Sequence, residues 1–303
     1  MQLPEAFLKT LHDIHDDANE WLESLLETLT KLEKQWQIRI QTKSSSLTRL
    51  SYNLVMFASG TDGTSYVLKM SPISDEFTRE VEAIKLYNGD GMAKLIKSDT
   101  TLAAMLLERL EPGISLWNTP PDNAKRDDEA KRIIANLMKR LWRKVPEPHT
   151  MRTLESWTQA LARYQGNDFP KPILDKAKYL LKDLLPTHET VLLHGDLHHD
   201  NVLSANREPY LAIDPKGLVG NRVYDVTPAM CNPYTPGLSL YPELASILER
   251  RASIFSEMLA IDKQEIFSWT FVQYVLGSIW SLEDRGEIDN SQRFIEALEK
   301  LLV

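Results

Sequence analysis

Leu192-Leu-His-Gly-Asp-Leu-His-His-Asp-Asn-Val-Leu203, followed by Ala212-Ile-Asp-Pro-Lys-Gly217, is the stretch on which the reading of this chain turns. Apolar fragments at 191–193, 202–203 and 210–213 read as short strands, and the polar residues between the first two form a loop. Asp196 and Asn201 stand five residues apart in that loop, and Asp214 ends the next fragment. Phosphoryl transfer needs these residue types: a carboxylate to orient the attacking hydroxyl, and hard oxygen ligands for a Mg²⁺ ion. Asn201 and Asp214 suit the metal, and Asp196 suits the hydroxyl. A lone H-x-D-x-x-x-x-N is a weak signal, because polar loops between strands often hold Asp and Asn. Three such parts in this order, with apolar strands around them, outweigh that bland reading.

Working toward the N-terminus, residues 4–34 carry Phe7, Leu11, Ile14, Trp21, Leu25, Leu29 and Leu32, largely at three- and four-residue steps. They read as one or two amphipathic helices. Trp36, Ile38 and Ile40 then alternate with polar residues, which predicts a half-buried strand. After the Ser-rich link at 44–46, residues 53–58 and 66–70 flank a glycine-containing turn at 59–64 and read as a hairpin. Residues 75–88 read as a helix stopped by Gly89 and Gly91, and 93–98 with 102–107 as another strand pair. Glu108-Arg-Leu-Glu-Pro-Gly113 supplies the boundary. Beyond it, helices are expected at 122–142, 150–164, 171–185, 241–260, 263–284 and 290–302. The fold class is therefore α+β with two lobes: a five-stranded antiparallel lobe with one key helix over 1–110, and a mostly helical lobe over 111–303.

That first lobe offers the remaining parts of a phosphate site. Lys69 follows Tyr66-Val-Leu68 on the third strand, where kinases place the lysine that contacts the α- and β-phosphates. Its partner should be a glutamate on the next helix, either Glu80 or Glu82. With Phe77 at zero, Glu80 falls at about 300° beside Tyr87 and Ile84, whereas Glu82 at about 140° lies between Lys85 and Leu86. Glu80 shares the apolar face, where an unpaired charge is costly, so Lys69 is its natural partner. The Gly-rich phosphate cover is missing: Leu50-Ser-Tyr-Asn-Leu-Val-Met56 has no glycine, leaving Ser51 and Asn53 as small polar substitutes.

His194-Gly-Asp-Leu-His-His-Asp-Asn201 with Ile213-Asp-Pro-Lys-Gly217 resembles the aminoglycoside phosphotransferase branch of the protein-kinase-like fold, where Gly replaces the Arg of H-R-D. More narrowly, the chain is similar to the streptomycin 6-phosphotransferase and hydroxyurea phosphotransferase group. Supporting residues run from Glu20-Trp-Leu22 through Leu68-Lys69, Arg79-Glu80, Leu107-Glu-Arg-Leu-Glu-Pro-Gly113, Asp214-Pro-Lys-Gly-Leu-Val-Gly220 and Tyr224-Asp-Val226 to Asn232-Pro233. The resemblance implies an ATP-dependent small-molecule kinase with the nucleotide between the lobes. It makes Asp196 the catalytic base, Asn201 and Asp214 the Mg²⁺ ligands, and Lys69 with Glu80 the phosphate clamp. Backbone groups at Glu108 and Leu110 would meet the adenine, and Asp225 would brace the catalytic loop. Asn221 departs from the group's usual Asp, and the connection after Asp214 lacks an A-P-E-like activation segment, which disfavours protein substrates.

With 35 Lys and Arg against 43 Asp and Glu, the formal charge of -8 argues against a nucleic-acid binder. The uncharged run 266–282 is short for a membrane span and is interrupted by Ser268, Thr270, Gln273, Ser278 and Ser281, so it reads as a buried helix. One cysteine, Cys231, cannot form an internal disulfide and reads as a packing residue. A cytoplasmic monomer or weak dimer acting on a small-molecule hydroxyl, without nucleic-acid or membrane partners, is expected. His194, His198 and His199 read as loop contacts, with His194 a hydrogen-bonded brace, and not as a zinc set. The mixed-sign run 125–132 reads as a solvated helix face, and Trp117, Trp142 and Trp157 as core. Glu283, Asp284 and Asp289 are acidic residues expected to reach a cleft in the helical lobe, which would suit a cationic acceptor such as streptomycin. Rival readings are a metabolic or hydroxyurea-type kinase on the same scaffold and a nucleotide-binding regulatory protein without catalysis.

Overall fold

The computed structural model describes residues 3–42, 52–116, 124–186, 189–232, 242–287 and 292–302. The link at 44–46, Ser51, Trp117, Pro233, Asp289 and the starts of three expected helices lie outside them. The chain divides into two compact units, Met1–Glu111 and Pro112–Val303.

In the first unit α1 (Glu5–Ile14) and α2 (Ala18–Trp36) carry a stripe of Phe7, Leu11, Leu25, Leu29 and Leu32. The stripe packs on Leu54, Met56, Leu68, Met70 and Leu106 from the sheet. Full burial of each such side chain contributes about 1.5–3 kcal/mol. Trp36 corrects the sequence reading, because it closes α2 instead of opening a strand: it continues the helical face of Leu32, and left-handed Gln37 (φ 56°) turns the chain into β1 (Ile38–Ile40). The other strands are β2 (Leu54–Gly60), β3 (Ser65–Met70), β4 (Leu95–Asp99) and β5 (Ala104–Glu108), in the antiparallel order β1-β2-β3-β5-β4. Between β3 and β4 runs α3 (Asp75–Tyr87), started by Ser74, whose hydroxyl accepts from the Phe77 N–H at 3.2 Å, and stopped at left-handed Asn88 before Gly89.

The second unit opens with a strand that the sequence did not suggest, β6 (Pro112–Ser115), which is followed by α4 (Ala124–Leu141). The expected helix at 150–164 is broken into β7 (Arg152–Thr153), α5 (Leu154–Trp157) and α6 (Gln159–Arg163). Thr153 caps α5 through its side chain, and the Thr158 hydroxyl donates to the Leu154 carbonyl at 2.8 Å. Leu154, Ala160 and Leu161 bury themselves as well on two short turns as on one helix, so their spacing hid the break. After α7 (Lys171–Leu184), the strands β8 (Thr190–Leu193), β9 (Val202–Ala205), β10 (Tyr210–Ala212) and β11 (Leu218–Asn221) complete two sheets. Their orders are β10-β9-β6 and β7-β11-β8.

The remaining helices are α8 (Val226–Cys231), α9 (Leu244–Leu259), α10 (Lys263–Arg285) and α11 (Gln292–Glu299). α10 contains the uncharged run and is buried nearly all round, with Ile266, Trp269, Phe271, Val272, Val275 and Ile279 inaccessible. Two of its hydroxyls turn back on the helix, Thr270 donating to the Ile266 carbonyl and Ser278 to the Tyr274 carbonyl, while Ser281 donates forward to the Glu287 carbonyl. Among the described residues no helix is long and apolar enough to cross a membrane.

The run 125–132 is not a uniformly solvated face. Asp127 (1% exposed) and Lys131 (0%) are buried, and Arg251 of α9 (0%) grips the Asp127 carboxylate at 2.8 and 3.0 Å. Burial alone would raise the Asp127 carboxyl; Lys131 and Arg251 overturn that and hold it well below the usual carboxylate range.

Candidate active site

Where β8 ends, the loop 194–201 hangs on one buried carboxylate. Asp225 accepts the backbone N–H of His194 at 3.0 Å, that of Gly195 at 2.7 Å and the indole N–H of Trp142 at 3.0 Å. Burial pushes its carboxyl up to about 6 against the pull of these donors, so at neutral pH it is the charged acceptor the loop needs. His194 is fully buried, and burial drives its imidazole down to about 3, which keeps it neutral. Its Nδ1 accepts from the Asp196 N–H at 3.2 Å, so Nε2 carries the proton and donates to the Ile213 carbonyl at 2.8 Å. This brace ties the loop to the segment bearing Asp214.

Gly195 answers a backbone demand. Its φ is +80°, and a Cβ there would stand 2.9 Å from Leu218 Cδ1 and 3.0 Å from Lys216 Cβ. We expect Gly195→Ala to cost about 1–3 kcal/mol of stability, read as a lowered midpoint in urea. An unchanged midpoint would show that the loop relaxes freely.

Asn201 closes the short 3₁₀ turn His199–Asn201. Its Nδ2 donates to the Asp196 carbonyl at 2.9 Å and lies 3.4 Å from Asp196 Oδ2, which leaves Oδ1 as the atom suited to a cation. The Ile213 N–H donates to the Asn201 carbonyl at 3.0 Å, which ties the residue before Asp214 to this turn, and the Asp214 charge is felt by Asp196. Asp214 has φ 60°, a left-handed conformation that Asp tolerates better than most residues. Burial raises the Asp196 carboxyl, His198 and Lys216 lower it, and Asp214 raises it again, which makes it a better proton acceptor than an exposed carboxylate. An amide oxygen and a carboxylate are hard donors, and they fit Mg²⁺, which takes one or two protein oxygens and completes its shell from phosphates and water. Among the described residues no group of three or more His, Cys, Asp or Glu side chains could hold a metal ion.

In the first unit Lys69 and Glu80 meet: Nζ and Oε1 are 2.6 Å apart, with both side chains less than a tenth exposed. Lys69 sits on β3 opposite Val55 and Met105, and Glu80 rises from the buried face of α3, as its helical angle implies. The Glu108 N–H donates to the Lys94 carbonyl at 2.9 Å, and its side chain accepts from the Lys94 N–H at 3.1 Å, which ties the end of β5 to the residue before β4. Leu110 is buried.

Other expectations resolve individually. Asn221 needs its amide, because Nδ2 donates to Glu265 Oε1 at 2.8 Å and to the Leu184 carbonyl at 3.2 Å; an Asp there would oppose Glu265. Cys231 is buried, and burial pushes its thiol up to about 12. Trp142 and Trp157 are half-buried, Trp157 lying edge-on to Trp280 at 4.9 Å. Glu283 is engaged by Arg163 at 2.8 Å on an exposed surface. His199 is a fully buried ring beside Lys131, more than a loop contact.

A braced H-x-D-x-x-x-x-N loop in a mostly helical unit, together with a buried Lys–Glu pair in a five-stranded antiparallel one, defines a kinase-like phosphotransferase. The chain belongs to the aminoglycoside/hydroxyurea antibiotic resistance kinase family, whose model matches residues 34–285. It is 28% identical over 277 residues to a streptomycin 6-kinase of Streptomyces glaucescens, covering 89% of this chain and 87% of that protein. It is 27% identical over 293 residues to a hydroxyurea phosphotransferase of Kitasatospora aureofaciens, covering 94% and 81% respectively. Among solved structures it is similar in fold to an amicoumacin kinase in complex with AMP-PNP, Ca²⁺ and Ami, with a TM-score of 0.61, 17% identity, and coverage of 92% of this chain and 94% of that one.

Proposed function

We propose that the protein transfers the γ-phosphate of ATP, with Mg²⁺, to a hydroxyl of a small molecule of the aminoglycoside class, streptomycin being the first candidate. The observation that carries this reading is the orientation of Asn201, whose amide nitrogen is engaged by Asp196 while its carbonyl is tied to the residue before Asp214. Asn201 and Asp214 would hold the metal, which when bound neutralises phosphate charge. Lys69, fixed by Glu80, would contact the α- and β-phosphates. The Glu108 and Leu110 backbone would receive the adenine, with the Glu108 carbonyl the relevant group because its N–H is donated to Lys94. Asp196 takes the proton of the acceptor hydroxyl as the new O–P bond forms and the bond to ADP breaks. The net acidity of the chain agrees in sign with a cationic acceptor.

The test is a transfer assay with ATP and Mg²⁺ against streptomycin, hydroxyurea and simple sugars, reading ADP release and the mass of the product. Phosphorylated streptomycin is the expected result. Transfer to hydroxyurea or a sugar alone would replace the acceptor by the hydroxyurea-type or metabolic reading. ATP binding without transfer to any acceptor would leave only the regulatory one.

A further inference from the structure

The catalytic loop rests on a buried charge cluster that the reaction outlined above does not use. Arg251 already neutralises Asp127 through two hydrogen bonds, and Arg250 adds contacts to Asp127 and Asp128 at 2.9 Å each. Lys131 is therefore surplus to neutrality, three basic groups facing two carboxylates. Burial with the nearby Arg251 charge pulls its ammonium well below the ordinary lysine range against the hold of Asp127. Burying a charge beyond what neutrality needs is costly unless its donors are used. All three donors of the ammonium are used: Nζ lies 3.0 Å from Asp127 Oδ1, 3.0 Å from His199 Nε2 and 3.2 Å from the Asn232 carbonyl.

The contact to His199 fixes that ring. An ammonium donor at Nε2 makes it the acceptor and leaves the proton on Nδ1, which is buried without a hydrogen-bond partner among the described residues. Lys131 is then what orients the imidazole. His199 is the first residue of the short turn that ends at Asn201, so ring and amide are set by the same few backbone angles.

We infer that Lys131 is a positioning residue: anchored by Asp127 and the Asn232 carbonyl, it pins His199 and through it the turn that aims Asn201. The inference rests on the reading of Asn201 as a metal ligand, and its test separates the two. In Lys131→Met the Asp127–Arg251 pair stays intact, so the core keeps its neutralised carboxylate. Hydrogen exchange of residues 196–202 should accelerate at least about tenfold, with the first unit unchanged. In the transfer assay the half-saturating Mg²⁺ concentration should rise about tenfold, as when an outer partner of a metal ligand is lost, with the maximal rate falling less. His199→Leu should behave alike, the double variant no worse than either single one, and His199→Gln, which keeps an acceptor for Lys131, should recover most of the Mg²⁺ affinity.

Parental exchange in both Lys131→Met and His199→Leu overturns the inference whatever the assay gives. Additive losses in the double variant overturn it too. Faster exchange with an unaltered Mg²⁺ requirement supports the pinning and removes Asn201 from the metal site. Should Lys131→Met not fold, His199→Leu and His199→Gln read the same contact, and equal behaviour of those two overturns the inference.

Discussion

Asp196→Asn is expected to bind Mg-ATP like the parent and to transfer its phosphate at least ~10²-fold more slowly, with ~10⁴ the upper end for a positioned acid–base group. Asn preserves the shape and the backbone N–H that donates to His194 Nδ1, so the loop should keep its form. What disappears is a half-buried carboxylate whose proton affinity burial has raised. Asn201 also loses a charged neighbour at 3.4 Å but keeps the Asp196 carbonyl at 2.9 Å, which is why metal binding should survive. Nucleotide affinity and acceptor turnover must come from the same preparation. Turnover near the parental rate would assign the hydroxyl to another residue, and a parallel collapse of ATP affinity would move Asp196 into the metal site.

The second large effect concerns Asp214. Removing the carboxylate in Asp214→Ala should weaken Mg-dependent nucleotide binding by more than the ~10–100-fold that loss of an outer partner costs. The backbone complicates the comparison, since φ is 60° here and Ala in that conformation costs about 1–2 kcal/mol on its own. Asp214→Asn serves as the control, because Asn accepts the same conformation and keeps one oxygen while losing the charge. The expected order of Mg-ATP affinity is parent, then Asn, then Ala, by titration calorimetry at fixed Mg²⁺. Equal affinity in all three would exclude Asp214 from the metal site.

The parts legible in the sequence were those written in local period or local chemistry. Alternation and turn residues announced β2 and β3 as a hairpin, and the helical angle of Glu80 pointed to the buried face where Lys69 meets it. Asp225 was named for its role by resemblance, and its three N–H contacts give that role a geometry. The charge cluster was illegible for a physical reason. Asp127 and Lys131 at four-residue spacing look the same on a wet face and a dry one, and what decides is Arg251, 124 residues away. Residues 112–115 were hidden differently: a proline and a glycine read as a boundary, and only β9 makes a strand of them. Trp36 belonged to two periods at once, and the helix took it.

The Lys69–Glu80 pair has a consequence for how such a chain can lose its activity over generations of mutation. The two residues pair at 2.6 Å, and both side chains are almost wholly shut off from water. A lineage that drops only one of them breaks a buried ion pair, at about 3–5 kcal/mol, a large part of a domain's whole stability. Dropping both for apolar residues of similar volume is often neutral or stabilising. Intact copies and doubly altered ones are thus the two stable destinations, separated by a step that selection for folding removes even where transfer no longer matters. Within a set of drifting relatives, the two positions should therefore change together or stay together, and the doubly changed ones should be well-folded proteins that have given up their phosphate donor.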